Sequence, residues 1–196
     1  MLMKKVIIIH GWDGSPEEPM HKWLKMKLEE KGFEVIVPLM PNPEEPEIKA
    51  WINKIKEILK NPDKETYFIG HSVGCQGVLR YLETLNPDIK IGGAILIAPW
   101  MHLDDKTIEE EGEEIVEIAK PWMETPINWK KIKKHSNNFI CIFSDNDPYV
   151  PLNNKVLFKK NLSAEIIIEN NKSHYDPGSN ITDNPAALNK LIEISK

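Results

Sequence analysis

The fold is decided by the stretch Thr-Tyr-Phe-Ile-Gly-His-Ser-Val-Gly-Cys-Gln-Gly-Val-Leu, residues 66–79. The apolar run 66–69 predicts a buried strand, and the apolar spacing after it predicts a helix over 73–85. Between them lies the pattern Gly-x-Ser-x-Gly, with Ser72 at its centre. A serine on so sharp a turn has an exposed hydroxyl, and the amides that begin the helix can face a developing oxyanion. We therefore expect Ser72 to be a catalytic nucleophile.

The same glycines allow a second interpretation, a helix start that binds phosphate through backbone amides. Gly70, Gly74 and Gly77 do not have the Gly-x-Gly-x-x-Gly spacing, and no Gly-Lys-Ser/Thr follows them. The sequence contains one arginine, Arg80, so it cannot form an arginine cluster for bidentate phosphate recognition. The sequence therefore favours the nucleophile.

A serine hydroxyl needs a base that takes its proton and a third group that orients the base. With this type of turn, the order along the chain is Ser, then Asp or Glu, then His. His174 is the histidine that follows the last predicted strand, and we predict that it is the base. His135 precedes a strand and so belongs to the wrong side of the sheet. We expect His71, next to the nucleophile, to pack or to form a hydrogen bond locally.

The acid should follow the fifth predicted strand, where the sequence reads Ser-Asp-Asn-Asp-Pro-Tyr-Val-Pro over 144–151. Asp145 and Asp147 compete for this role, and we expect the other to serve only the turn that such segments form beside proline. Spacing alone leaves this choice open. For the oxyanion hole we expect the backbone amide of Val73 and that of Trp12, in the glycine-containing loop after the first strand. The alternative for that loop is a simple strand-ending turn.

Apolar runs and amphipathic helical segments alternate along the chain, which predicts an α/β fold with a parallel sheet wrapped on both faces. We expect one domain over residues 1–196, with a lid-like insert at about 100–138 that contains an amphipathic helix. The predicted strands are 6–9, 34–37, 66–69, 93–97, 139–143 and 165–168, and the predicted helices outside the insert are 18–31, 47–60, 73–85, 155–162 and 186–194.

The composition indicates a globular protein. Hydrophobic residues make up 41% and charged residues 28%, and the net charge is −5 with both signs mixed. This argues against nucleic acid or a membrane surface as partner, since both need a concentrated basic face. The N-terminal apolar run is too short for a signal peptide, so we expect a cytoplasmic protein. Two cysteines, Cys75 and Cys141, offer neither a disulfide framework nor metal-ligand spacing. No feature specifies an oligomeric state.

Four segments resemble the small serine hydrolases that include a retinoblastoma-binding protein. They are His-Gly at 10–11, Gly-His-Ser-Val-Gly at 70–74, the 144–151 segment and Ser-His-Tyr at 173–175. The resemblance implies a compact α/β-hydrolase, a three-layer α/β/α sandwich with a six-stranded parallel sheet in the order 2-1-3-4-5-6. The family aspartate precedes a Pro-x-Val-Pro or similar stretch, which implies Asp147 rather than Asp145. Ser173 stands where the family often has glycine.

The resemblance also implies an activity, cleavage of a small carboxylic ester or amide through an acyl-serine, without a cofactor or metal. Ester, thioester and peptide hydrolysis would use the same residues. Trp100 would then lie at the edge of the sheet that holds the site, as a substrate-binding residue for an apolar or aromatic acyl group; the alternative is a core position. A non-catalytic interaction module is the competing function. The family's retinoblastoma-binding motif, Leu-x-Cys-x-Glu, is absent, and a complete Ser, Asp, His order favours the enzyme.

Overall fold

The computed structural model describes residues 3–196, and its centre is one parallel sheet. The order of the six strands across the sheet is 2-1-3-4-5-6, which confirms the predicted topology. Each predicted strand is present, with ends that differ by up to two residues from the prediction. The strands are β1 (Lys5–Ile9), β2 (Glu34–Ile36), β3 (Thr66–His71), β4 (Gly93–Ile97), β5 (Phe139–Ser144) and β6 (Glu165–Glu169).

Among residues 3–196, eight α-helices cover the sheet, and a short 3₁₀ turn (Pro177–Ser179) precedes the last of them. The five helices predicted outside the insert are all present. The helices are α1 (Pro19–Glu29), α2 (Ile48–Ile58), α3 (Val73–Thr84), α4 (Asp105–Glu111), α5 (Glu113–Glu124), α6 (Trp129–Lys133), α7 (Asn154–Leu162) and α8 (Pro185–Ile194).

Alternate residues of each central strand belong to two separate cores, because successive side chains of a strand point to opposite faces. In β1, Ile7 and Ile9 pack with α2, α3, α5, α6 and α7 on one face of the sheet. Val6 and Ile8 pack with α1 and α8 on the other face. All four side chains are fully buried. Both faces are therefore covered, as the continuous apolar runs predicted.

The insert differs from the prediction in one respect. Instead of one amphipathic helix it contains α4 and α5, separated at Gly112, whose φ of +113° is in a region that favours glycine. Trp122 anchors α5 to the core, since its side chain is buried and its Nε1–H donates to the carbonyl of Pro46 at 2.7 Å. The side chain of Arg80 donates to the carbonyls of Trp122 and Thr125, at the C-terminal end of the same helix.

Within residues 3–196, no helix has both the length and the apolar character that crossing a bilayer requires.

Candidate active site

Ser72 lies at the turn between β3 and α3, in a strained backbone conformation. Its φ of +52° is unusual for a residue with a side chain, and such strain persists only where the surroundings impose it. Its amide donates to the carbonyl of Ile97 in β4 at 2.9 Å. A Cβ at Gly74 would lie 2.4 Å from the carbonyl oxygens of Ile9 and His10, so this glycine lets the end of β1 approach the helix. The Gly-x-Ser-x-Gly pattern thus has the setting that the sequence predicted.

The structure brings Ser72, His174 and Asp147 together in one hydrogen-bonded chain. His174 Nε2 lies 2.9 Å from Ser72 Oγ, and His174 Nδ1 lies 2.9 Å and 3.1 Å from the two carboxylate oxygens of Asp147. Because a carboxylate only accepts hydrogen bonds, Nδ1 carries the ring hydrogen and Nε2 is left to accept from the serine hydroxyl. All three side chains are largely buried.

The two candidate acids have different surroundings. The Asp147 side chain is 2% exposed, and its Oδ1 accepts from the amides of Tyr149 and Val150 at 2.9 Å and 3.0 Å. Asp145 is exposed, and its Oδ1 accepts from the amide of Asn171 at 2.8 Å. Of the two carboxylates, that of Asp147 is the one bonded to His174.

The contact of Asp145 is one of three that join the loop after β5 to the loop after β6. Three successive side chains, from the last residue of β5 into the loop after it, accept from three successive amides of the loop after β6, and this ladder sets the position of His174. Beyond the expected turn, no sequence pattern predicted this ladder. The pairs are Asn171 N–H to Asp145 Oδ1 at 2.8 Å, Lys172 N–H to Ser144 Oγ at 3.0 Å and Ser173 N–H to Asn146 Oδ1 at 2.8 Å.

His71 forms a hydrogen bond to the loop after β6, which contains His174. We predicted packing or a local hydrogen bond, but its Nε2–H donates to the carbonyl of His174, more than a hundred residues away, at 2.8 Å. Burial, together with the neighbouring rings of His174 and His21, lowers the pKa of His71 to about 3, so the ring is neutral at physiological pH. His71 therefore fixes the backbone of His174 without adding a charge.

The loop after β1 passes close to the nucleophile. A Cβ at Gly11 would lie 3.3 Å from Ser72 Cβ, and Trp12 lines the cavity above the serine. Val73 is the first residue of α3, where an amide has no partner within the helix. For the amide of Trp12, the part of the chain from residue 3 onward offers no acceptor within hydrogen-bond distance. Both amides are thus free to face a ligand.

His10 holds this loop, a role that sequence reasoning missed. Its Nδ1–H donates to the carbonyl of Gly11 at 2.8 Å, and its Nε2 accepts from the amide of Met40 at 2.9 Å. With both ring nitrogens bonded, His10 acts as a rigid spacer between β1 and the chain after β2. Its place directly after β1 was the available signal.

A cavity of about 560 Å³ opens above Ser72, and much of its wall is apolar. Trp100 is buried in this wall, and its Nε1 lies 3.4 Å from Ser72 Oγ, at the long limit of a hydrogen bond. Two other tryptophans of the chain, Trp122 and Trp129, are absent from the wall. The wall contains four carboxylates and, among the described residues, neither lysine nor arginine. Its apolar side chains include Trp12, Trp100, Leu103, Ile108 and Ile115, and its carboxylates belong to Asp13, Glu18, Glu111 and Asp176.

The model of a known family, described as serine hydrolase, matches residues 6–193 of this chain. The chain belongs to the serine hydrolase family. This confirms the resemblance seen in the sequence and supports a hydrolase activity. Two relatives are similar to this chain over most of their length. YdeN of Bacillus subtilis (strain 168) is 27% identical over 165 residues, which are 84% of this chain and 80% of YdeN. The serine hydrolase RBBP9 of Rattus norvegicus is 26% identical over 171 residues, 86% of this chain and 80% of RBBP9.

Solved structures give the same result for the fold of this serine hydrolase. The YdeN structure of B. subtilis superposes with a TM-score of 0.86 at 25% identity, covering 98% of both chains. Est1E from Butyrivibrio proteoclasticus, solved with ferulic acid bound, superposes with a TM-score of 0.72 at 18% identity, covering 98% of this chain and 90% of Est1E. The second similarity shows a shared fold only.

Proposed function

We propose that this serine hydrolase cleaves small carboxylic esters through an acyl-Ser72 intermediate. The observation that carries the proposal is the hydrogen-bonded chain from Ser72 through His174 to Asp147. A serine hydroxyl, an imidazole nitrogen free to accept its proton and a buried carboxylate on the far nitrogen are the groups that acyl transfer requires.

In the first step Ser72 Oγ attacks the carbonyl carbon of the ester while His174 Nε2 takes the hydroxyl proton. Trp100 Nε1–H points towards the same oxygen, which favours the rotamer of the hydroxyl that faces His174. The amides of Trp12 and Val73 are the proposed donors to the oxyanion of the tetrahedral intermediate. When that intermediate collapses, the carbon–oxygen bond to the alcohol breaks, and His174 returns its proton to the leaving alcohol.

In the second step a water molecule gives a proton to His174 and attacks the acyl carbon, and Ser72 leaves with that proton as the free acid forms. The Asp147 carboxylate stabilises the imidazolium that exists during both steps. An amide substrate would follow the same path more slowly, because an amine is a poorer leaving group. No step needs a cofactor.

The cavity indicates the class of acyl group. Its apolar wall suits a short aliphatic or aromatic group, and the insert at 100–138 contributes Ile108 and Ile115 to it, so we propose that the insert acts as a lid over the acyl group. The carboxylates around the cavity would repel an anionic substrate, and no lysine or arginine in its described lining would compensate. We therefore expect p-nitrophenyl butyrate to be hydrolysed at least tenfold faster than the monoester of succinate with p-nitrophenol.

Labelling with a fluorophosphonate probe tests the nucleophile. We expect the probe to label the wild-type protein and not Ser72→Ala. Ser136→Ala is a matched control, because Ser136 is also buried but lies before β5, at the edge of the sheet opposite to the site. Equal labelling of Ser72→Ala and wild type, or no labelling of a wild-type protein with a native circular dichroism spectrum, would refute the proposal.

A further inference from the structure

Glu18, His21 and His71 form a cluster beneath the loop that follows β1. One nitrogen of each imidazole and one oxygen of the carboxylate all lie within 4.8 Å of one another. Glu18 and His21 are three residues apart at the start of α1, a spacing that places two side chains on one face of a helix. His71 reaches the cluster from the end of β3, and its ring centroid lies 5.8 Å from that of His21. The proposed hydrolysis uses neither Glu18 nor His21.

Each of the two imidazoles has a buried nitrogen without a hydrogen-bond partner, His21 Nε2 and His71 Nδ1. The opposite nitrogen of each ring faces a carbonyl oxygen, that of Ser15 at 3.2 Å for His21 and that of His174 at 2.8 Å for His71. Because a carbonyl oxygen accepts, those opposite nitrogens carry the hydrogens. The two unpartnered nitrogens of the neutral rings therefore present lone pairs, and both side chains are more than nine-tenths buried.

The third group of the cluster faces the same loop. A Cβ on Gly11 would lie 3.1 Å from His71 Nδ1, and a Cβ on Gly14 would lie 2.6 Å from Glu18 Oε1. His71 Nδ1 and the Glu18 carboxylate therefore both face the segment 11–14, and the residue that each of them faces is a glycine. The carboxylate of Glu18 accepts from the amide of Ser15 at 3.0 Å, and its Oε2 lies 3.4 Å from His21 Nδ1; a carboxylate has acceptor capacity beyond these two contacts.

We propose that Glu18, His21 and His71 form a Zn²⁺-binding site next to the nucleophile. Two imidazoles and one carboxylate are a ligand set that zinc uses when a fourth position stays open. Tetrahedral zinc holds such ligands about 3.4 Å apart, so the three ligand atoms would move closer together when the ion binds. Glu18 and His71 line the cavity above Ser72, which gives the ion a route from solvent. A cation on His71 Nδ1 would strengthen the Nε2–H bond to His174, as outer partners of ligating histidines do.

Zinc binding can be measured without any substrate, so this proposal stands apart from the proposed hydrolysis. The full-length protein is treated with EDTA, dialysed, and titrated with ZnCl₂ by isothermal titration calorimetry at pH 7.5. We expect one ion per chain, bound with micromolar or tighter affinity, and an upward shift of Tm with added zinc. Glu18→Gln should weaken binding at least tenfold, and His21→Gln should abolish it.

His135→Gln is the matched control for the histidine substitution. His135 is also fully buried, donates from Nδ1 to a carbonyl and has an Nε2 without a partner, but it precedes β5 and is not part of the cluster. We expect this variant to bind zinc as the wild type does. Circular dichroism of each variant checks that it is folded. Absence of binding by the wild type, or binding that Glu18→Gln and His21→Gln leave unchanged, would overturn the proposal and would leave a buried water as the donor to the two nitrogens.

Discussion

Substitution of Asp147 by asparagine should remove most of the activity through the tautomer of His174. The amides of Tyr149 and Val150 both donate to Oδ1 of Asp147, at 2.9 Å and 3.0 Å. In Asp147→Asn these two donors fix the new carbonyl oxygen at the Oδ1 position. The new NH₂ group then occupies the Oδ2 position, 2.9 Å from His174 Nδ1.

An NH₂ group in that place donates to Nδ1, so the ring hydrogen moves to Nε2. Nε2 then faces Ser72 as a donor and cannot take the proton of the hydroxyl. A tautomer inversion of this kind lowers kcat by about 10⁴, which corresponds to about 5.4 kcal/mol in the activation free energy. Asn and Asp have nearly the same shape, and the hydrogen bonds from the amides of Tyr149 and Val150 are both retained. The fold should therefore be unaffected.

The assay is steady-state hydrolysis of p-nitrophenyl butyrate, with the burst of p-nitrophenol as a separate measure of acylation. Asp145→Asn is the matched control. Its carbonyl oxygen still accepts from Asn171, and the site is exposed, so we expect a change of about twofold at most. Activity of Asp147→Asn within tenfold of the wild type would refute the reasoning, and so would a larger loss in Asp145→Asn.

Two further predictions concern stability. Gly74→Ala places a Cβ 2.4 Å from two backbone oxygens and should lower the free energy of unfolding by about 1–3 kcal/mol in urea titrations. Gly77→Ala is the control: the nearest atom is 3.4 Å away, so this substitution should leave the free energy of unfolding unchanged or raise it by up to about 1 kcal/mol. Equal effects of the two substitutions would contradict this account. Burial lowers the pKa of His21 to about 4 and of His71 to about 3, so the unfolded chain takes up protons first below about pH 6.5. The stability that is complete above that pH should fall from pH 6.5 down to about 4 for His21 and about 3 for His71, by up to about 1.4 kcal/mol per pH unit for each histidine. The slope should be smaller in His21→Gln than in the wild type.

The sequence predicted the sheet and the nucleophile turn because both depend on local patterns. A continuous apolar run marks a strand covered on both faces. The two glycines around Ser72 are required because a Cβ at either position would clash with neighbouring backbone atoms. The acid was different. Asp145 and Asp147 both follow β5, and they differ in which carboxylate turns towards His174, a property of the folded loop. Their catalytic roles are still predictions.

What the sequence did not predict depends on contacts between distant residues. His71 bonds to the carbonyl of His174 and has buried contacts with His21, and no local pattern connects these positions. The break between α4 and α5 had a local signal, Gly112, but the apolar spacing through it resembled that of one helix. The sequence could not show which tryptophans line the cavity, because this depends on tertiary packing. Trp122, for example, packs in the core.

The ladder between the loops after β5 and β6 has a consequence for protein synthesis. It joins residues about 27 positions apart, whereas the bond between Ser72 and His174 spans 102 positions. A ribosome synthesises the chain from its N-terminus, and a domain generally folds as a unit. An arrested nascent chain that ends before residue 174 therefore contains Ser72 but has no base to activate its hydroxyl. Hydrolase activity should appear in translation only after the last strand and its loop have left the exit tunnel.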